Sequence, residues 1–166
     1  MKFLAAALVL VISAPVAGAQ QAGHDTTKTA KDSAFQALQS RGRDAMGVDQ
    51  YTSRHRFESL PTGGRIELQR EVDDSAGVEQ IRKHLKEIVA AFQAGDFRTP
   101  KTVHAMTVPG TDVMRARKNA IRYEFRELPR GGEVRIETRD PEAIRAVHEF
   151  LAFQRTDHRT GEEHQH

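Results

Sequence analysis

The chain has 166 residues, of which 38% are hydrophobic and 29% charged, with 25 Lys and Arg against 23 Asp and Glu. These values are typical of one globular domain and exclude collagen-like, coiled-coil and multi-span membrane proteins. The small charge excess argues against a nucleic acid partner. Because the chain has no cysteine, it forms no disulfide and no thiolate metal site, and any metal must be held by His, Met, Asp or Glu.

The first 19 residues have the pattern of a secretory signal peptide. Lys2 precedes an apolar run from Phe3 to Ile12, and Ala17 and Ala19 are the small residues of a cleavage site after Ala19. The run is shorter than the ~20 residues of a membrane-spanning helix. We therefore expect export to the periplasm or the cell exterior, without membrane insertion.

Three segments outside the main domain are predicted next. Residues 20–31 are polar and rich in Thr, which is typical of a flexible leader. Residues 32–44 predict a short accessory helix, with Phe35 and Leu38 three positions apart. Residues 161–166 are polar and predict a flexible tail.

Residues 57–68 and residues 125–136 form an internal repeat at an offset of 68, with five of twelve positions identical. Apolar and polar residues alternate before and after each Leu-Pro-x-Gly-Gly motif, and a period of two predicts β-strands. The motifs themselves predict hairpin loops, in which Pro presets φ and the glycines take positive φ.

Each predicted hairpin is followed by a helical pattern. The first pattern places Ile81, Leu85, Ile88 and Phe92 on one face and ends at Gly95. The second starts at Asp140-Pro141, an N-cap followed by Pro at the first helical position, and continues with Ile144, Val147 and Leu151.

These elements predict a single α+β domain of residues 45–160. It consists of two ββα repeats, about 49–97 and 119–160, which form a four-stranded antiparallel sheet with two helices on one face. The opposite face carries Arg and Glu on every strand and is predicted to be solvated.

The connection from Phe97 to Asn119 has no equivalent in the second repeat. Connections longer than ~12–15 residues without secondary structure of their own are often functional. We expect this segment to fold over the helix layer or a sheet edge and to form the wall of any binding site.

Six strings resemble a group of small exported bacterial proteins of unestablished function: AMGVDQYTS, LPTGGRIEL, GDF, VPGTDVM, LPRGGEVRI and AVHEFLAFQRTDH. The resemblance covers roughly residues 32–160 and implies export and a single repeated domain. Some members of the group carry the name aspartate carbamoyltransferase. The chain does not support that activity, because it lacks the Ser-Thr-Arg-Thr carbamoyl-phosphate loop and the His-Pro-x-Gln string.

Seven side chains are candidate metal ligands: His55, His84, His104, His148, His158, Met106 and Met114. Imidazole together with thioether, outside the cytoplasm, is ligand chemistry that suits copper. His55 is predicted to point inward from its strand, at the position that Tyr123 takes in the second repeat. No pair among these five histidines has the spacing of an HxH, HxxxH or HExxH motif, so a structural role for each of them stays open.

Two functions of different class follow from these patterns. The first is a soluble, exported, non-enzymatic binding protein that holds a transition metal, with copper favoured. The alternative is an interaction or structural module that holds an envelope protein through its charged sheet face or its long connection. A small hydrolase is a weaker third reading, because the chain contains no nucleophile elbow, no GxGxxG motif and no phosphate-binding loop.

Overall fold

A computed structural model of the protein describes residues 26–47 and 52–160. The predicted signal peptide and the predicted tail lie outside the described residues. The elements are α1 (Thr26–Met46), β1 (Ser53–Leu60), β2 (Gly63–Arg70), α2 (Ser75–Gln93), α3 (Arg98–His104), α4 (Thr111–Ala116), a 3₁₀ turn (Lys118–Ala120), β3 (Ile121–Leu128), β4 (Gly131–Thr138) and α5 (Pro141–Asp157). Within the described ranges, no helix combines the length and the apolar character needed to cross a bilayer.

The predicted fold class is confirmed. The four strands form one antiparallel sheet in the order β1-β2-β4-β3, and the helices pack on one of its faces. Helix α2 packs mainly on β3 and β4, whereas α5 packs mainly on β1 and β2. Each helix therefore covers the hairpin of the other repeat.

The two repeats are related by a pseudo-twofold axis at the centre of the sheet. Ile66 of β2 pairs directly with Val134 of β4, and the repeat offset of 68 maps the first of these residues onto the second. A residue can pair with its own equivalent only on a twofold axis. The axis therefore passes between Ile66 and Val134, and the core is built around it.

The predicted helix stripes form the core on the covered face of the sheet. Ile81, Leu85, Ile88 and Phe92 of α2 are all buried against it. Each such side chain contributes about 1.5–3 kcal/mol when it leaves water. The carboxylates of Asp74 and Asp140 cap the N-termini of α2 and α5 by accepting hydrogen bonds from backbone N–H groups.

The paired glycines differ from the prediction. Of these four glycines, only Gly63 has a positive φ, of 135°. Both pairs belong to the strands rather than to the loops. Their role is close approach: a Cβ on Gly131 would lie 2.0 Å from the carbonyl oxygen of Leu68, and one on Gly64 would lie 2.2 Å from Cδ1 of Leu151. The glycines let β2, β4 and α5 come together without side chains between them.

Two segments are more ordered than predicted. Helix α1 begins at Thr26, inside the predicted leader, and it is fixed by tertiary contacts rather than by an apolar stripe of its own: Leu38 is buried, and Arg41 Nε donates to the carbonyl oxygen of Val103 at 2.7 Å. The connection after Phe97 is not a loop without secondary structure, because it contains α3 and α4.

Substitution of Gly131 by Ala should destabilise the domain by about 3 kcal/mol, because the new Cβ meets backbone of β2 that cannot move aside. Gly95→Ala is the matched control. It strains a φ of 78°, but the nearest atoms belong to flexible side chains, and the expected loss is about 1 kcal/mol. Urea denaturation of the two variants measures the difference, and equal losses would contradict this role of Gly131.

Candidate ligand site: a buried histidine cluster

Four histidines from four different elements line one small cavity. His55 comes from β1, His84 from α2, His104 from α3, and His158 from the C-cap position of α5. We call these four residues the histidine cluster. The cavity has a volume of about 80 Å³ and lies between α2 and α5 above β1 and β2, with α3 as one wall. The long connection therefore contributes to the wall, through α3.

The apolar part of the cavity wall comes from the core itself. Phe57, Ile66 and Leu68 of the first hairpin line it from below, and Phe92 and Phe150 line it from the helices. Gly42 of α1 also borders the cavity, so the N-terminal helix covers one side of it. The imidazoles are thus the main polar groups in an otherwise apolar space.

His104 is held in place from both sides of its ring. Its Nδ1 lies 2.5 Å from Asp157 Oδ2, and its Nε2 lies 3.0 Å from the side-chain oxygen of Gln154. The His104 side chain is only 1% exposed. A carboxylate on one imidazole nitrogen fixes the tautomer and the ring orientation, and this pairing is typical of histidines that bind metals through the other nitrogen.

The ring of His158 contacts the rings of both His55 and His104. The centroids of His55 and His158 are 5.3 Å apart with nearly parallel planes, and those of His104 and His158 are 5.1 Å apart with nearly perpendicular planes. Phe57 packs against both His55 and His158. The three imidazoles form a continuous aromatic group against the first hairpin.

Burial lowers the pKa of three histidines of the cluster, His55, His84 and His158. Desolvation, followed by the nearby His84, lowers the pKa of His55 to about 4. Desolvation and the two neighbouring imidazoles lower the pKa of His158 to about 2. Burial also lowers the pKa of His84, against a smaller opposing effect of Glu87. Neutral imidazoles retain the lone pairs with which they ligate metals.

The other sequence candidates lie elsewhere. His148 donates from Nε2 to the carbonyl oxygen of Leu60 at 2.9 Å, and Arg82 of α2 donates to the equivalent carbonyl oxygen of Leu128 in the other repeat. The contact of His148 and that of Arg82 are therefore equivalent: each satisfies the carbonyl oxygen of the last residue of an edge strand, β1 or β3. Met114 is fully buried in the core, Met106 is exposed, and neither lines the cavity. The histidines at positions 24, 164 and 166 lie outside the described residues.

Two polar residues of the site were not predicted from the sequence. Gln154 and Asp157 both come from the last turn of α5 and both contact His104. A signal was present for Gln154, because it lies seven residues after Val147 and three after Leu151, on the buried stripe. A polar side chain at such a position requires a hydrogen-bond partner inside the fold. Asp157 gave no comparable signal.

The cluster is not a preformed metal site. Among residues 26–47 and 52–160, no group of three His, Asp or Glu side chains is placed so that it could hold a metal ion. Both ring nitrogens of His104 are engaged by α5, and His55 and His158 lie stacked. What the arrangement provides is a set of imidazole nitrogens that lie close together, with His84 and His104 buried and His55 and His158 partly buried.

A larger groove of about 1150 Å³ lies on the other side of α2, toward the β3–β4 turn. It is open to solvent and is lined by side chains of both signs, including Glu79, Lys83 and Lys86. None of the described histidines contributes to it. The histidine cluster is therefore the better candidate for a ligand site.

Comparison of the chain with protein-family models, with curated proteins and with solved structures gave no match.

The lowered pKa values make stability depend on pH. An unfolded histidine has a pKa of about 6.5, so below this pH the unfolded chain binds protons at His55 and His158 that the folded chain does not. The free energy of unfolding should therefore fall as pH falls from about 6.5 toward 4, by up to about 1.4 kcal/mol per pH unit for each such histidine. Above pH 6.5 both states are neutral at these positions, and the effect disappears.

Urea denaturation at a series of pH values tests this dependence. His55→Phe should reduce the slope by one histidine's share, since an aromatic residue already occupies the equivalent position in the second repeat. Phe57→Leu is the control, because it disturbs the same ring contacts without removing a titrating group and should leave the slope unchanged. An unchanged slope in His55→Phe would show that His55 does not remain neutral in the folded protein.

Proposed function

We propose that the protein binds a transition-metal ion at the histidine cluster, with copper favoured. The observation that carries the proposal is convergence: four histidines that are far apart in the sequence, on four elements, line a single buried cavity. Aromatic packing accounts for the contacts among His55, His104 and His158, but it does not account for His84 on the same cavity. A common ligand accounts for all four.

The spacing of the rings supports this chemistry. In a tetrahedral site the metal lies about 2.0–2.1 Å from each nitrogen, which places two ligating imidazole centroids about 5 Å apart. The observed centroid distances are 5.1 and 5.3 Å, so the rings are already close enough for two of them to share an ion once His158 turns out of its stack on His55. Asp157, on Nδ1 of His104, would leave Nε2 as the ligating atom of that ring.

Binding requires a local rearrangement. The amide of Gln154 has to release Nε2 of His104, and His158 has to turn out of its stack on His55. Both residues lie at the C-terminal end of α5, where the chain leaves the helix. The C-terminal end of α5 therefore determines whether His104 and His158 are free to bind the ion.

Copper is favoured because nitrogen ligands bind it tightly, and not because methionines are present at the site. Met106 and Met114 do not line the cavity, so a thioether ligand has no support in the arrangement of the described residues. Among divalent first-row ions, nitrogen sites bind Cu²⁺ most tightly. The proposal includes the exported location predicted from residues 1–19.

Melting with and without metal tests the proposal in a chain of residues 20–160, which lacks the histidines at positions 164 and 166. A ligand that binds only the native state stabilises it by about 2.7 kcal/mol at a hundredfold excess over its Kd. We expect Cu²⁺ to raise the Tm visibly, and we expect His55→Phe and His104→Gln to abolish the rise. Zn²⁺ and Ni²⁺ should give smaller shifts.

His148→Gln is the matched control. Its amide can replace the hydrogen bond from Nε2 to Leu60, and the residue lies outside the cluster, so the shift in Tm should persist. Calorimetric titration should show one ion per chain. An unchanged Tm in the parent chain, or an equal loss of the shift in His148→Gln, would reject metal binding at this site.

The second candidate is a protein-interaction module with structural histidines, and one observation favours it. Both nitrogens of His104 already have partners, as a histidine with a purely structural role would. Under this reading, capture of an envelope partner is insensitive to chelators and to His104→Gln.

A further inference from the structure

The sheet face opposite the helices carries an ordered array of eight charges. Four residues, one per strand, form a first row across the sheet: Glu58, Arg65, Arg135 and Glu124. The adjacent second row consists of Arg56, Glu67, Glu133 and Arg126. The strand order gives the signs minus, plus, plus, minus in the first row and plus, minus, minus, plus in the second. We call these eight residues the charge array.

The signs of the two rows are opposite because equivalent positions of the two repeats carry opposite charges. The offset of 68 maps Arg65 onto Glu133 and Glu67 onto Arg135, and it likewise exchanges the signs of the outer pairs. The pseudo-twofold axis therefore carries each row onto the other with opposite charge. The array as a whole is neutral, with four Arg and four Glu.

The centre of the array is already shielded from water. The side chains of Glu133 and Glu67 are only 8% and 16% exposed, and Arg65 is 25% exposed. Arg65 contacts Glu58 at 2.6 Å and Glu67 at 3.1 Å, so its guanidinium is already paired with carboxylates of the same chain. Part of the desolvation cost of an interface is thus met within the monomer.

We propose that this face binds a second copy of the chain, related by a twofold axis that lies in the sheet plane across the strands. That operation places the first row of each copy over the second row of the other. Arg65 then faces Glu67 of the second copy, Arg135 faces Glu133, Glu58 faces Arg56, and Glu124 faces Arg126. All eight facing pairs have opposite signs.

The alternative twofold axis, along the strands, is excluded by charge. It would place each row over the same row of the second copy, so that Arg faces Arg and Glu faces Glu at every position. Like charges that face each other across an interface cost several kcal/mol. Of these two axes, the array therefore favours the one across the strands.

The flanking positions agree with the same geometry. Beyond the second row lie Arg54, Gln69 and Leu128, and beyond the first row lie Arg122 and Glu137. In the proposed dimer Arg54 faces Leu60, and Leu128 faces Arg122, so no like charges meet. Four strands of eight residues cover about 500 Å² per copy, which corresponds to a weak interface that is sensitive to salt.

Sedimentation velocity of the chain without residues 1–19 tests the proposal. We expect a dimer at high protein concentration in about 20 mM salt and a monomer in about 500 mM salt, because screening weakens the facing pairs. A monomer at every concentration in low salt would overturn the proposal, and so would a dimer that persists unchanged in high salt.

Two charge reversals on β3 test the geometry. Glu124→Arg places Arg over Arg126 of the second copy, twice by symmetry, and Arg126→Glu places Glu over Glu124. Each variant alone should raise the dissociation constant at least about tenfold. Mixed in equal amounts, the two variants should form a heterodimer, because every facing pair is then again of opposite sign.

Glu149→Arg, on the exposed face of α5, is the matched control for net charge and should dimerise like the parent chain. The far-ultraviolet circular dichroism of each variant verifies that it is folded. Equal dimerisation of Glu124→Arg and the parent, or failure of the mixture to associate, would overturn the geometry. None of these outcomes depends on metal binding by the histidine cluster.

Discussion

The pairing of β2 with β4 is the constraint on which the rest of the structure depends. It joins the two hairpins into one sheet, and it works only because Gly131 leaves the Leu68 carbonyl free of a clashing Cβ. Once Ile66 and Val134 face each other on the pseudo-twofold axis, the positions of α2 and α5 follow. The covered face then becomes the core, and the other face receives the alternating Arg and Glu residues.

The histidine cluster lies where the two repeats stop being equivalent. His55 occupies the position that Tyr123 takes in the second repeat, and α3 comes from a segment that has no second copy. The equivalent parts of the two repeats form the sheet and the core. The cavity is lined in part by the segments that differ, which are His55 and α3. The cost is a loss of stability in acid, since the neutral form of these imidazoles is the one that the fold accommodates.

The periodicity of the sequence was sufficient to predict the sheet, the two main helices and their caps, because each of these depends on nearby residues. It did not predict where the histidines meet. His84 lies off the apolar stripe that the sequence predicts for α2, yet it is buried and lines the cavity together with His104 of α3. The glycine pairs were interpreted as turn residues, because a close approach between distant strands leaves no trace in local sequence. Asp157 was missed for the same reason: its partner is 53 residues away.

The crossing of the helices has a consequence for how the chain acquires its fold during synthesis. Residues of β1 contact α5 across 88 and 98 positions of sequence, as in the bonds from His148 to Leu60 and from Arg155 to Phe57. The first hairpin to emerge from a ribosome is therefore covered by the last helix to be made. Until that helix arrives, the apolar side of β1 and β2 stays open to other chains, and contacts of this length close slowly.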